Sequence, residues 1–184
     1  LKELIKHEVD ILKSCNSLNV IKFYDWLVSQ NNIYMITEYC KDGDMCNYLK
    51  SQPNKRVSEK QALNILKQLL SGFQGLHTVN AMHRDFKPAN VLLDNGLFKI
   101  CDLGFGTISD LAKTTLGTTN YMAPEMIKNQ KYNSKIDIWS LGVVFYEMLF
   151  GKQLFWGIND NDIEWQVLNK KINYFDKEVK ISKE

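Results

Sequence analysis

The ten residues "VLLDNGLFKI" (91–100) restrict the fold more than any other stretch. Asn95-Gly96 stands between two short apolar runs, the signature of a two-residue β-hairpin turn, whose central positions need a positive φ. Such a hairpin brings the residue before its first strand beside the residue after its second. Asn90 directly precedes the first strand and Asp102 follows the second by two positions, so an amide and a carboxylate are expected near one another. Both offer oxygen, which suits a hard cation such as Mg²⁺.

Just upstream, Asp85 and Lys87 are separated by one residue, and Asn90 follows. Pro88 keeps this segment from continuing as a helix. In an extended or looped segment, residues i and i+2 point to the same side, so acid and amine face one substrate. An acid beside a metal-bound phosphate can accept a hydroxyl proton, and an adjacent Lys can offset charge on the transferring group. Taken singly, each residue has an ordinary explanation: a turn Asp, a solvated Lys, a chance H-R-D. Their joint order and spacing point to phosphoryl transfer.

The rest of the chain supplies a scaffold. Residues 1 to about 15 read as an amphipathic helix. "VIKFYDWLV" (20–28) and "NIYMITEYC" (32–40) read as strands around an "SQN" turn, and "MCNYLKSQ" starts a short helix. Ser58 is a capping residue for a long helix, in which Ala62, Leu63, Leu66, Leu69, Leu70, Phe73 and Leu76 recur at helical spacing. Residues 107–120 are Thr-rich and aperiodic, which predicts a mobile loop. "SKIDIWSLGVVFYEMLFG" reads as a buried helix stopped by Gly151, and Asn159 to Asp162 can cap a last helix.

Composition narrows the function classes. A chain of 184 residues suits one domain with a sizeable core. The net charge of +2, with no basic block, argues against a nucleic-acid partner. The apolar run 138–151 is too short and too interrupted to span a bilayer. The four cysteines form no C-x-x-C pair or zinc spacing, so a reducing compartment is expected, cytoplasmic or nuclear.

"HRDFKPANVLL", "DLG", "GTTNYMAPE" and "DIWSLGVVFYEM" follow one another in the order of the eukaryotic protein kinase signatures, and the chain resembles that family. Lys87, two residues after Asp85, resembles the Ser/Thr class. The resemblance implies an α+β, protein kinase-like fold: a mainly helical C-lobe with a partial N-lobe, the end of one helix plus two strands. Residues 1–38 would be the N-lobe remnant and 39–184 a C-lobe lacking its last helices.

By position, Asp85 is similar to the family's catalytic base, Lys87 to its phosphate-contacting lysine, and Asn90 and Asp102 to its metal ligands. ATP and Mg²⁺ are thereby implied as cofactors, and Ser/Thr-containing proteins as substrates. His83 and Leu103 would join a packed column with Leu12 above and Asp137 below; Leu103 replaces the usual Phe. Thr37 would be the gatekeeper. The backbones of Glu38 and Cys40 would meet adenine, Leu92 would pack beneath it, and Asp44 would lie near the ribose or a substrate residue. Cys101 would border the nucleotide pocket as a small buried hydrophobe. Arg84 would pair with a phosphorylated loop, with Thr114 as the phosphosite and Thr115 as its neighbour. Thr118 resembles the residue that steadies the catalytic Asp and Lys.

Three family parts have no match here. "GFGTIS" (104–109) lacks the third Gly of a phosphate loop and lies after the metal ligand. Glu8 matches the helix glutamate, but no V-A-I-K strand precedes it, and Lys2 and Lys6 share its helix. Glu125 of A-P-E likewise lacks its later Arg. The expectation is a fragment of an active Ser/Thr kinase, weakly active or inactive alone. The alternatives are a truncated, catalytically inactive kinase-like binding or scaffold module, and a small-molecule kinase; "GTTNYMAPE" resembles a peptide platform and argues against the last. Phe105 after "DLG", with "YEMLFGKQLFWG", is reminiscent of the autophagy-initiating kinases, beside NIMA-like, Aurora-like and polo-like alternatives. The sequence leaves the oligomeric state unknown.

Overall fold

The Asn-Gly turn forms as its chemistry requires. In the computed structural model, Asn95 and Gly96 take φ of 50° and 80°. They join β4 (Val91–Asp94) to β5 (Leu97–Ile100) in the register Val91↔Ile100 and Asp94↔Leu97. The structure describes residues 2–103, 107–108, 118–172, 179 and 182, and the side chains of these except at 2–5, 107 and 108.

Helix α1 (Lys2–Ser14) precedes an antiparallel pair, β1 (Phe23–Val28) and β2 (Ile33–Thr37). Both strands are shorter than their sequence pattern predicts. Val20 and Ile21 leave the hairpin to meet the end of β5: Ile21 N donates to Ile100 O at 2.8 Å, and Ile100 N to Asn19 O at 2.8 Å. A second sheet thus claims the apolar residues that look like the start of β1. Helix α2 (Met45–Ser51) is capped by Asp44, and α3 (Glu59–Thr78) opens with a reciprocal Ser58–Gln61 capping box.

The stripe that α3 buries is Ala62, Ile65, Leu69, Phe73 and Leu76. Leu63 and Leu70 are 42% exposed, contrary to the periodic reading. Each sits one residue past the stripe, which turns it about 100° away from the core. This face packs on β5 and on α5 (Lys135–Phe150), the most apolar helix. Gly151 ends α5 at a left-handed φ of 67°, its N–H bonded to Glu147 O at 2.9 Å. A Cβ there would collide with the Asn54 carbonyl.

The loop expected over 107–120 is regular at both described ends. Thr107–Ile108 (β6) pairs antiparallel with Ala81–Met82 (β3), and Thr119–Tyr121 is a 3₁₀ turn. A short α4 (Pro124–Ile127) follows, and α6 (Asp160–Asn169) is capped by Asn159, whose Oδ1 accepts the Asp162 N–H at 3.0 Å. The main core joins Ile11, Leu12 and Val20 to residues of α2, α3, α5 and the β4–β5 hairpin. Among the described residues, no helix is long and apolar enough to cross a membrane.

Candidate active site

Residues 83–90 link β3 to β4, and a buried anchor determines their shape. Asp137, at the start of α5 and 3% exposed, accepts His83 N at 2.9 Å and Arg84 N at 3.0 Å. The clamp holds Arg84 at φ 72°, a conformation non-glycine residues seldom take. His83 Nε2 lies 3.0 Å from Cys101 O, which ties this loop to the far end of the hairpin. Phe86 is buried beside both His83 and Phe73, with ring centroids 5.8 and 4.8 Å apart.

Above that anchor the polar groups converge. Lys87 Nζ lies 2.6 Å from Asp85 Oδ2 and donates to Thr118 Oγ1 at 2.8 Å. Asp85 Oδ1 accepts Thr118 N at 2.7 Å and Thr118 Oγ1 at 3.0 Å. Acid, amine and hydroxyl form a closed triangle whose members come from two separate segments. Asn90 is buried, and its Nδ2 donates to Asp85 O at 2.9 Å, which leaves Oδ1 as the amide's acceptor. Cys101 N bonds to Asn90 O at 3.0 Å, so Asp102 begins one residue beyond the paired end of the hairpin. Asp102 is exposed at φ 60°. The structure therefore brings Asp85, Lys87, Asn90 and Thr118 together; Asn90 faces Cys101 across the end of the hairpin, and Asp102 follows one residue on.

Glu8 reaches this centre from α1. It is buried, and its Oε1 accepts Leu103 N at 3.0 Å. Burial raises the Glu8 carboxyl above the ordinary carboxylate range; the Leu103 N–H pulls it back and the Asp102 charge adds to the rise. The unfolded chain therefore releases this proton at lower pH, and the folded chain holds more protons between the two pKa values. Stability falls as pH rises through that window. Glu8→Gln keeps an acceptor for Leu103 and cannot titrate. In urea unfolding of this chain, its stability relative to the parent should rise as pH rises above the ordinary carboxylate range; a constant difference would refute the assignment.

Leu12, His83 and Leu103 are all buried, with Asp137 beneath. On the strand side, Thr37 ends β2, and Cys40 is buried. Glu38 turns its carboxylate to Lys99 Nζ at 3.0 Å and to Lys22 N at 2.7 Å. Leu92 bridges to Asp44, whose carboxylate takes the Asn47 N–H at 2.9 Å and Asn47 Nδ2 at 2.8 Å. Burial and the Asp102 charge push the Cys101 thiol up to about 12, which leaves it unreactive near neutral pH. Thr114 and Thr115 lie outside the described residues, as do positions 104–106 of "GFGTIS".

Three contacts escape a sequence reading. Tyr132 OH accepts from Arg84 Nη2 at 2.7 Å and Nε at 3.0 Å, with the guanidinium 5.7 Å from the ring centre. Tyr121 OH donates to Glu147 Oε2 at 2.8 Å. Lys99 is a buried cation within "LFKI", and that misplaced charge is the one signal that its Glu38 partner exists.

Among the described residues, no group of three His, Cys, Asp or Glu side chains could hold a metal unaided. An amide oxygen and one carboxylate, with further ligands from a phosphate, fit Mg²⁺, which keeps few protein ligands.

A family profile described as the protein kinase domain matches residues 1–184. The chain is 37% identical over 182 residues to the serine/threonine-protein kinase atg1 of Dictyostelium discoideum, across 94% of this chain and 27% of that protein. It is 36% identical over 166 residues to ATG1a of Arabidopsis thaliana, across 86% of this chain and 26% of the relative. Against human ULK1 it is 34% identical over 173 residues, 87% of this chain and 16% of that protein. The chain thus spans about a quarter of the first of these relatives and less of the last.

Proposed function

The chain belongs to the protein kinase domain family, and from that premise we propose that the whole protein transfers the γ-phosphate of ATP to serine and threonine hydroxyls of protein substrates. The observation that carries this reading is the Asp85–Lys87–Thr118 triangle beside Asn90. Residues 1–38 serve as N-lobe and 39–184 as C-lobe.

Kinases of this family generally use ATP with Mg²⁺, which supply the phosphoryl group and neutralise the charge that develops on it. Asn90 Oδ1 and the Asp102 carboxylate would hold the metal. Asp85 accepts the proton of the incoming hydroxyl. Its position is fixed by the two bonds from Thr118, so little reorganisation is needed as the proton moves. Lys87 offsets negative charge on the transferring group, and Thr118 Oγ1 steers its ammonium. The backbones of Glu38 and Cys40 face adenine, Leu92 lies beneath it, and Asp44 stands at the ribose end. The Glu38–Lys99 pair supports the first of these roles, because it turns the Glu38 carboxylate away and pins the backbone. Glu8 positions the Leu103 peptide next to Asp102.

Arg84 answers a phosphate on Thr114 or Thr115 through charge-assisted bonds. All four cysteines are free, which supports a cytoplasmic or nuclear location. A binding module without turnover would have no use for the ordered acid–amine pair. The test is incubation of the whole protein with γ-labelled ATP, Mg²⁺ and a serine/threonine peptide, followed by phosphoamino-acid separation. Label should appear on Ser and Thr and vanish with EDTA. Label on neither residue would sink the proposal.

A further inference from the structure

We infer that Tyr132 is a positioning residue for phosphoryl transfer: its hydroxyl holds the Arg84 side chain, and through Arg84 it fixes the direction in which Asp85 enters the reacting centre. The inference rests on the kinase reading above and adds to it a residue from outside the catalytic loop.

Tyr132 stands on the short connection between α4 and α5 and is buried. Its ring packs among Met82, Ala123, Met126 and Ile136, a cluster apart from the main core. Met82 directly precedes the catalytic loop, and Ala123 and Met126 follow the segment that carries Thr118. The ring is thus wedged between the two segments that supply the Asp85–Lys87–Thr118 triangle. Met, Ala and Ile side chains offer a buried hydroxyl no donor, and the Arg84 guanidinium supplies two: Nη2 at 2.7 Å and Nε at 3.0 Å. Two donors on one edge of a planar guanidinium fix its plane as well as its place. The direction of the other edge, Nη1 with Nη2, is therefore set by Tyr132 and not by an anion that meets it.

Arg84 needs that hold. Its φ of 72° lies in the left-handed region, which a non-glycine residue keeps only where its surroundings over-determine it. One restraint is the Asp137 carboxylate, which accepts the Arg84 N–H at 3.0 Å and so acts on the main chain. Tyr132 acts on the side chain. Both restraints come from residues 132–137, which form a hydrogen-bonded turn: Ile136 N donates to Asn133 O at 3.2 Å, Asp137 N to Ser134 O at 3.1 Å and Lys135 N to Asn133 Oδ1 at 3.0 Å. The turn keeps the two anchors in register. With its N–H and its side chain both held, Arg84 delivers the next residue in one direction. Asp85 N then lies 3.3 Å from His83 Nδ1, and Asp85 Oδ1 meets Thr118. Without the hydroxyl the Asp137 clamp remains, so the fold persists, but the Arg84 side chain swings and Asp85 strays from the triangle. A displaced base slows the chemical step more than it weakens substrate binding.

The test is a double-mutant cycle in the whole protein, with γ-labelled ATP, Mg²⁺ and a serine peptide. Tyr132→Phe keeps the ring and removes the acceptor; Arg84→Met keeps an unbranched stem and removes the donors. Tyr132→Phe should lower kcat about tenfold, with KM for ATP and for the peptide within about twofold of the parent. In the Arg84→Met background the same substitution should change kcat by less than about twofold, because the guanidinium that the hydroxyl holds is gone. Where the Met variant is too slow to measure, Arg84→Lys keeps the charge without the two-donor edge, and Tyr132→Phe should then add less than about threefold. A merely structural hydroxyl would lower the urea midpoint and leave the kcat of the folded protein unchanged; that result overturns the inference. Equal losses of kcat in both backgrounds also overturn it, since Tyr132 would then act other than through Arg84. If the parent protein phosphorylates nothing, the kinase reading itself fails, and the positioning role falls with it.

Discussion

Asp85→Asn in the whole protein should lower the phosphoryl-transfer rate by about 10²–10⁴-fold with the fold intact and the KM for ATP little changed. The magnitude follows from what the carboxylate touches. Oδ1 takes both Thr118 bonds and Oδ2 the Lys87 ammonium. An Asn oxygen can still accept from Thr118, which preserves the loop. Its NH₂ then faces the Lys87 ammonium, donor against donor, so Lys87 loses its anion as the hydroxyl loses its base. A decrease below about tenfold would mean that Asp85 organises the loop without taking the proton.

Asp137→Ala should unfold much of the C-lobe. The carboxylate is buried and accepts two backbone N–H groups, from His83 and Arg84. Removing it strands the buried His83 N–H and the part-buried Arg84 N–H, at about 1–3 kcal/mol each. It also releases Arg84 from the left-handed backbone that starts the catalytic loop. A loss of about 3–5 kcal/mol is a large share of the roughly 5–15 kcal/mol that keeps a domain folded. Urea unfolding should show the midpoint collapse, with Asp137→Asn intermediate because its single oxygen can still accept one of the bonds. Near-parental stability of the Ala variant would show that the two N–H groups find other acceptors.

How far the sequence spoke depended on how local the signal was. The Asn95-Gly96 turn set the hairpin register, which places Asn90 opposite Cys101, one residue short of Asp102. Ser58 with Gln61 and Asn159 with Asp162 are caps complete within four residues, and both helices start where their caps require. The strand limits at residues 20 and 40 were less legible, because Val20 and Ile21 are claimed by β5, nearly eighty positions away. Separations of 48 and 26 residues likewise hid the Tyr132 hydroxyl on Arg84 and the Tyr121–Glu147 bond. Leu63 and Leu70 look like core residues because leucine is apolar, yet the helical phase turns them outward. The roles given to Glu38, Cys40, Asp44 and Leu92 come from family position, with no local pattern to announce them. Trp156 and Trp165 carry no periodic signature at all; only the fold shows that both stand out into solvent.

Asp85, Lys87, Asn90 and Asp102 should act as one phosphoryl-transfer centre. The most direct measurement is a single turnover, with whole protein in excess over γ-labelled ATP and a serine peptide present. Phosphoserine and ADP should appear together, one for one, in the presence of Mg²⁺, and neither should form with Asp102→Asn. ADP released without phosphoserine, or ATP bound and left intact, would contradict the account.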